Sequence, residues 1–228
     1  MPVLPLVIGG AATVAVVAVL AFMLGWIPGF APGGEASPSP TTGVGGSPSA
    51  LRPPEATPLA DAPAEPSGDG THATIETEQG NIVVELYNRS SPVAAENFAN
   101  LAEARFYEGV VFHRIVPGFV IQGGDPEGTG GGGPGYTIPD EPVVGEYVRG
   151  TVAMARTPAP NSQGSQFFIV LDDSVQDRLD KAGGYAIFGR VVEGMDVVDE
   201  IAAGPAGGQG GDTALDPVTM TRVTVQRP

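Results

Sequence analysis

Residues 112–125 read FHRIVPGFVIQGGD, and residues 164–169 read GSQFFI. Both stretches overlap short runs of β-forming residues, which lie at Val110–Ile115, Val120–Gln122 and Gln166–Leu171. The most distinctive sequence of the chain therefore predicts strands and the loops that join them.

The sequence on either side of these stretches predicts further strands. Ala73–Glu78 and Asn81–Tyr87 are β-rich and are joined at Gln79-Gly80, a turn signal that indicates a hairpin. Three more β-rich runs lie at Thr151–Arg156, Ala186–Val192 and Thr219–Gln226.

Two helices are predicted among these strands. Ser91-Pro92 marks the start of the first, over about residues 92–104, because Ser is a favourable N-cap and Pro suits the first helical position. A second, shorter helix fits residues 194–203, with Gly204 at its end. Many short strands, two helices and long Gly/Pro loops indicate an antiparallel barrel with helical caps.

The composition of the chain changes twice along its length. Residues 1–30 are apolar and carry no charged side chain, whereas residues 31–70 are dominated by Pro, Gly, Ala, Ser and Thr. The second composition is typical of a disordered linker, because it offers too few large apolar side chains to form a core. Residues 71–228 have the composition of a globular domain and are numerous enough to bury a core.

The apolar segment is long enough to cross a membrane. Leu6–Ile27 holds 22 residues, and a helix of that length spans about 33 Å, against about 30 Å of hydrocarbon. The alternative is a cleaved signal peptide, but such peptides normally have a basic residue before a shorter apolar run, and none precedes this one. We expect a transmembrane anchor with the domain outside the membrane; a domain secreted after cleavage is the alternative.

Charge and cysteine content exclude several classes of function. Residues 71–228 hold 21 of the 26 acidic residues and 10 of the 11 bases, a net charge of −11. We expect no nucleic-acid partner, because such a partner requires clustered Lys and Arg. The chain has no cysteine, which excludes disulfides and a thiol nucleophile, and its two histidines do not make a zinc site. High Ala, Gly, Pro and Arg usage with a single Lys is typical of a bacterial source.

The two stretches quoted first closely resemble the signature segments of cyclophilin-type peptidyl-prolyl cis–trans isomerases. Supporting matches are AENF at 95–98, MA at 154–155 and FGRV at 188–191, and the likeness covers about residues 72–226. The resemblance implies a mainly β fold, a closed eight-stranded antiparallel barrel capped by two helices. The apolar helix and disordered linker that we expect before this barrel lie outside the resemblance. It also implies an active site on the outer face of the barrel that binds proline-containing polypeptide clients, without metal or cofactor.

The resemblance assigns roles to individual residues. Arg114 matches the catalytic arginine, and a fixed guanidinium that donates to the prolyl nitrogen only in the twisted amide binds the transition state selectively. Phe119, Phe168 and Leu179 match the apolar pocket that holds the proline ring. Because side chains alternate along a strand, Phe167 is then expected on the opposite face.

The matched polar residues surround that pocket. Gln122 and Gln166 match residues that hydrogen-bond the substrate backbone or orient the arginine. Ala155 and Arg156 match positions that bind the neighbouring peptide through main-chain groups. The loop at residues 157–161 is about one residue longer than in common eukaryotic members, which loosens the match at Arg156.

Three positions depart from the family pattern. Tyr185 stands where many members have a pocket histidine, and it keeps an aromatic wall with a polar tip. Val120 replaces a larger pocket methionine. The tryptophan that many members use to bind cyclosporin has no counterpart, because the aligned stretch reads Gln176-Asp177-Arg178, so weak cyclosporin binding is expected.

Two features suggest other chemistry and are given less weight. His113 adjoins Arg114 and resembles a general base, but the rotation transfers no proton, so a structural or hydrogen-bonding role is favoured. The glycine run at 128–133 resembles a nucleotide loop, yet no Lys-Ser/Thr follows it and it does not join a strand to a helix.

The sequence thus predicts a peptidyl-prolyl cis–trans isomerase that accelerates rotation of X–Pro bonds during folding of exported proteins. The alternative is a non-enzymatic barrel that binds proline-containing segments as a chaperone. Loss of turnover with retained peptide binding in Arg114→Ala would distinguish the enzyme from the binding module.

Overall fold

The computed structural model describes residues 51–61 and 63–228. Ten strands are present in this part of the chain: β1 (His72–Thr77), β2 (Gly80–Leu86), β3 (Arg114–Val116), β4 (Val120–Gly123), β5 (Thr151–Met154), β6 (Phe167–Val170), β7 (Ile187–Glu193), β8 (Ala206–Gly207), β9 (Thr213–Ala214) and β10 (Met220–Gln226). Three α-helices accompany them: α1 (Pro92–Glu103), α2 (Gln176–Lys181) and α3 (Met195–Ala202). A short 3-10 turn, Asp173–Val175, leads into α2.

The strands form one antiparallel sheet in the order β10-β1-β2-β7-β5-β6-β4-β3-β9-β8. No ladder joins the end strands β10 and β8 in the described residues, so strand pairing does not support the predicted closed eight-stranded barrel. The predicted strand at Val110–Ile115 is regular only from Arg114 onward. Before that point, Val111 makes single bridges to Asp125 and Thr219 in place of a ladder.

The predicted hairpin at the start of the domain is confirmed as β1 and β2, which are paired from His72↔Glu85 to Thr77↔Gly80. Alternate residues of both strands are buried, including Ile75 and Ile82, which directly face each other. This period-two pattern places one face of the hairpin in the core.

Helix α1 begins at Pro92, close to the predicted position, but its N-terminus is capped differently from the prediction. The hydroxyl of Ser91 donates to the carbonyl of Ile187 at 2.7 Å and does not cap the helix. The buried carboxylate of Glu141 instead accepts hydrogen bonds from the backbone N–H groups of Val93 (3.0 Å) and Ala94 (2.8 Å). A residue 47 positions away thus satisfies the free N–H groups of the first turn.

The second predicted helix is present as α3, whereas α2 was not predicted. Helix α2 has six residues, of which only Leu179 is buried. A helix this short shows no apolar periodicity in its sequence. The prediction of two helices is therefore incomplete, because the described residues contain a third α-helix.

Two apolar clusters lie on opposite faces of β6. The larger cluster is the main core, and its fully buried aromatic residues are Phe98, Tyr107, Phe112, Phe167 and Phe188. The smaller cluster includes Phe119, Val120, Phe168 and Leu179, with Ala155 and Tyr185 at its edge. The predicted alternation is confirmed, since Phe167 belongs to the main core and Phe168 to the smaller cluster, which we call the site cluster.

The last residues of the predicted linker lie against the domain. Ser67 N–H donates to the hydroxyl of Ser90 at 3.0 Å, and Pro66 packs so closely on Gly145 that a Cβ there would meet the Pro66 ring. The predicted apolar helix and most of the linker lie outside the described residues. Within residues 51–61 and 63–228, none of the helices has the length and apolar character needed to cross a membrane.

Candidate active site

Arg114 lies on β3, directly opposite Gln122 on β4, and Gln122 lies opposite Phe168 on β6. Residues that face each other across antiparallel strands project from the same side of the sheet. The register therefore brings the predicted catalytic arginine, a predicted polar residue and a predicted pocket aromatic into one row. This row is the centre of the candidate site.

Two groups fix the guanidinium of Arg114. Its Nε donates to Oδ2 of Asp212 at 2.7 Å, and its Nη1 donates to Oε1 of Gln122 at 3.3 Å. The side chains of Arg114 and Asp212 are each 32% exposed, so the ion pair remains open to solvent on one side. The arrangement holds Nε and Nη1 of the guanidinium, whereas Nη2 has no partner among the described residues and can donate to a bound molecule.

A chain of side-chain amides continues from Gln122. Its Nε2 donates to Oε1 of Gln166 at 2.9 Å, and Nε2 of Gln166 donates to the carbonyls of Gly130 (3.0 Å) and Gly132 (2.9 Å). Each amide has its oxygen toward the arginine and its nitrogen toward the loop. Because both N–H donors of Gln166 are held by the loop carbonyls, its oxygen faces Gln122, and this determines which end of Gln122 faces Arg114; the second N–H of Gln122 has no partner among the described residues.

The glycine-rich loop is wrapped around the buried carboxylate of Asp125. That carboxylate accepts backbone N–H bonds from Glu127 (2.8 Å), Thr129 (2.9 Å) and Gly130 (2.6 Å). Burial disfavours the charged form, but the backbone hydrogen bonds outweigh it and lower the pKa of Asp125. A Cβ at Gly132 would collide with this carboxylate. The glycine run thus presents carbonyls to Gln166, while the N–H groups of Thr129 and Gly130 are engaged by Asp125.

The apolar part of the site is the site cluster. Phe119, Phe168 and Leu179 are all buried in it, together with Val120. Tyr185 closes one side, with its ring packed edge-on against Phe168 at 5.2 Å between centroids and an interplanar angle of 90°. The structure therefore brings the three predicted pocket residues into one cluster, with the substituted Tyr185 as its wall.

Arg156 and Ala155 lie at the edge of this cluster. The Arg156 guanidinium donates to the carbonyls of Gly183 (2.7 Å), Gly184 (2.9 Å) and Thr157 (3.2 Å), and its Cζ lies 5.6 Å from the centre of the Tyr185 ring. The N–H of Ala155 donates to the carbonyl of Gln166 at 2.9 Å. The Ala155 N–H is thus engaged within the sheet, and the guanidinium of Arg156 belongs to the pocket wall.

His113 is buried next to Arg114, and neither ring nitrogen has a hydrogen-bond partner in the described residues. Burial lowers the pKa of His113, the charge of Asp125 opposes this shift, and the charge of Arg114 adds to it. The imidazole is accordingly neutral near pH 7 and packs as an apolar ring. Residues 51–61 and 63–228 contain no group of three or more His, Asp or Glu side chains placed to hold a metal ion.

The chain matches the family described as "Cyclophilin type peptidyl-prolyl cis-trans isomerase/CLD" over residues 72–225. The chain belongs to the cyclophilin family. A peptidyl-prolyl cis–trans isomerase of Acinetobacter baylyi is 44% identical over 138 residues, which cover 59% of this chain and 73% of the relative. One of Arabidopsis thaliana is 41% identical over 145 residues, covering 61% of this chain and 85% of the relative.

A solved structure supports the same conclusion for the fold. The cyclophilin-type isomerase of Cryptosporidium parvum, determined in the presence of the dipeptide Ala-Pro, is 30% identical and superposes with a TM-score of 0.62. The match covers 69% of this chain and 99% of that one. This mainly β cyclophilin is therefore a peptidyl-prolyl cis–trans isomerase.

Sequence reasoning missed two residues of the cyclophilin site. Asp212 is 98 positions from Arg114, and only the pairing of β3 with β9, at Arg114↔Thr213, brings them together. Arg178 places its Cζ 3.7 Å from the centre of the Phe119 ring. In the sequence, the stretch at 176–178 stands out only because it lacks the tryptophan of many family members. The sequence contained one indication of Arg178, because it directly precedes the predicted pocket residue Leu179. No feature of the sequence indicated Asp212.

Proposed function

We propose that this cyclophilin isomerises X–Pro bonds with Arg114 as the catalytic residue and the site cluster as the proline pocket, in proteins that fold outside the membrane. The observation that carries the proposal is the row formed by Arg114, Gln122 and Phe168 on neighbouring strands. It places a fixed cation beside an apolar surface on one face of the sheet. That combination suits a reaction that twists a tertiary amide without breaking any bond.

The barrier to this reaction comes from amide resonance. Rotation about the peptide bond costs about 18–20 kcal/mol, although the cis and trans forms before proline differ by only about 0.5–1 kcal/mol. In the twisted amide, the prolyl nitrogen loses its conjugation and gains a lone pair that can accept a hydrogen bond. A donor that reaches the nitrogen only in this state lowers the barrier without tightening ground-state binding.

Arg114 is held in a way that suits this role. Asp212 and Gln122 engage Nε and Nη1, so the guanidinium is oriented before substrate binds. Preorganisation matters because reorienting the donor during the reaction would add to the barrier. The planar fork of the arginine side chain also presents its donors in a fixed geometry.

The site cluster suits the ring of the substrate proline. Phe119, Phe168 and Leu179 supply apolar surface, and Tyr185 supplies an aromatic wall with a polar tip. Holding the proline ring while the preceding residue rotates is what the reaction requires of a pocket. Gln122 and Gln166, linked at 2.9 Å, lie between this surface and the loop, where they can hydrogen-bond the peptide backbone of the substrate.

The proposed location rests on the sequence before the described residues. Leu6–Ile27 contains no charged residue and has the length of a membrane-spanning helix. The proposal therefore includes an anchored domain outside the cytoplasmic membrane, with clients among exported proteins. Release by signal cleavage would give the same clients and a soluble domain. Cell fractionation and protease treatment of intact cells test this part, since an internal domain would be protected from the protease.

The catalytic proposal is tested by protease-coupled isomerisation of a short X–Pro peptide with the full chain in mild detergent. Wild type should accelerate the slow phase, and Arg114→Ala should lower kcat/KM on the order of a hundredfold, which is the usual loss when one preorganised donor is removed. Arg227→Ala is the matched control, because Arg227 also pairs with a carboxylate, Glu103, at 3.0 Å. A folded wild type without activity would support the non-enzymatic binding module instead.

A further inference from the structure

Helix α2 places two consecutive residues at the site cluster. Leu179 is buried within the cluster, and the exposed Arg178 lies over Phe119 with its Cζ 3.7 Å from the ring centre. A cation this close to an aromatic ring is held by a cation–π interaction. Phe119 itself is only 8% exposed. The guanidinium of Arg178 is thus part of the mouth of the proposed proline pocket.

The guanidinium of Arg178 makes no hydrogen bond and no ion pair among the residues that the structure describes. Five ion pairs are present in the described residues, and they involve Arg105, Arg114, Arg149, Lys181 and Arg227, but not Arg178. The acids beside it on α2 are engaged elsewhere, since Asp177 lies 3.9 Å from Lys181 and Asp180 accepts a hydrogen bond from Gln176. Within the described part of the chain, Arg178 therefore presents a charge without an acidic partner and N–H donors without an acceptor.

A second guanidinium lies at the same cluster. Arg156 is fixed by three backbone carbonyls beside the ring of Tyr185, and it also has no carboxylate within ion-pair distance in the described part of the chain. Tyr185 contacts Phe168, and Phe119 belongs to the same cluster. Two cations without acidic partners thus border one apolar pocket, in a domain whose net charge is −11.

We propose that Arg178, supported by Arg156, makes this cyclophilin select proline segments that carry an Asp or Glu side chain within two positions of the proline. The inference rests on the isomerase activity and specifies its substrate class. A guanidinium stacked on a ring has lost water from one face, and its planar edge matches a carboxylate in a bidentate pair. Phe119 also fixes the plane of the guanidinium, so less side-chain entropy is lost when the pair forms.

The proposal opposes what the overall charge predicts. A domain with a net charge of −11 attracts basic peptides and repels acidic ones at long range. Without a local cationic site, peptides with Lys next to proline would therefore be favoured. Selection by Arg178 predicts the reverse order, with Glu above Gln and Gln above Lys. A preference for Glu peptides would thus indicate a local cationic site, whereas a preference for Lys peptides would indicate that the overall negative charge of the domain dominates.

The test uses the full chain in mild detergent and a series of short peptides. Each peptide carries Glu, Gln or Lys at one of four positions, which are the two before and the two after the proline. We expect Glu to raise kcat/KM over Gln by about threefold at one or more positions at low salt, as for a partly exposed ion pair. The preference should weaken at high salt, where charges are screened beyond a few ångströms. In Arg178→Gln the preference should disappear.

Arg222→Gln is the matched control, because Arg222 is exposed on β10, and its replacement changes the net charge by the same amount. It should retain the preference for Glu. Equal rates for Glu and Gln peptides at all four positions in wild type would overturn the proposal, as would a Glu preference that survives in Arg178→Gln. The dissociation constants of the same peptides, measured by NMR titration, test selection independently of turnover. A failure of the isomerase assignment would instead appear as absent turnover of the neutral Gln peptides.

Discussion

The two halves of the site are organised by different forces. The polar half, from Asp212 through Arg114 to Gln122, is a series of directional hydrogen bonds, of which the one to Asp212 joins residues 98 positions apart in the chain. The apolar half, which includes Phe119 and Phe168, is a cluster of buried apolar side chains, with the ring of Tyr185 and the guanidinium of Arg178 packed against it. Directional contacts orient a charge for the twisted amide, whereas packing provides a surface that binds any conformer of the ring. Changes in the polar half should therefore lower kcat, and changes in the apolar half should raise KM.

The largest effects should come from the adjacent pair Phe167 and Phe168. Either change to Ala removes a buried ring and should cost about 3–5 kcal/mol of unfolding free energy. Phe168→Ala should also raise KM more than tenfold, because Phe168 faces the site cluster, whereas Phe167→Ala should leave KM of the folded fraction near wild type. Denaturant unfolding and steady-state kinetics measure both quantities. Similar KM values in the two variants would remove the distinction between the clusters.

A smaller effect is expected at Asp212. Asp212→Ala should lower kcat about tenfold, which corresponds to the loss of one hydrogen bond to a charged group, and should leave KM nearly unchanged. Asp212→Asn keeps an oxygen that can accept from Nε of Arg114, so much of the rate should return. Glu103→Ala, which removes the carboxylate from the pair with Arg227, is the control and should retain wild-type kcat. A loss confined to KM would mean that Asp212 does not orient the arginine.

The smallest effect concerns His113 and pH. Burial lowers the pKa of His113 below its usual value of 6.5, so the unfolded state binds more protons than the folded state as pH falls through that value. Stability should then decrease on acidification below about pH 6.5, by less than about 1.4 kcal/mol per pH unit. Unfolding of wild type and His113→Asn between about pH 6.5 and 5 measures this, and only wild type should show the decrease in that window, because carboxylates with a lowered pKa, such as Asp125, lose their contribution at lower pH.

The rate should not follow the same titration. Because rotation transfers no proton, kcat of the folded wild type should be constant from about pH 6 to 8. A sigmoidal dependence of kcat that disappears in His113→Asn would show that this imidazole acts as a general base. That result would contradict the division between an orienting polar half and a binding apolar half.

The sequence predicted those parts of the site that depend on local patterns. A β-rich run on each side of residues 117–119 predicts the strands that place Arg114 opposite Gln122. The alternation of side chains along residues 166–171 places Phe167 and Phe168 on opposite faces of the sheet. The hairpin of β1 and β2 also follows from a turn signal between two β-rich runs. Residues close together in the sequence are sufficient to specify these features.

The parts that were missed depend on contacts between distant residues. The capping of α1 by Glu141 and the pairing of Asp212 with Arg114 are set by the path of the loops, which leaves no periodic signal. Helix α2 is too short for its apolar face to show in the sequence. The sheet order differs from a closed barrel of eight because residues near Val111 form single bridges in place of a ladder.

The most direct measurement is NMR exchange spectroscopy on one X–Pro peptide bound to wild type, Arg114→Ala and Phe168→Ala, because it yields the cis–trans rate on the enzyme and the dissociation constant separately. The account predicts that Arg114→Ala slows the on-enzyme rate on the order of a hundredfold while the dissociation constant stays within about threefold of wild type. Phe168→Ala should weaken binding far more than it slows the rate. If Arg114→Ala instead lost binding and kept the on-enzyme rate, Arg114 would be a binding residue, and the central claim would be wrong.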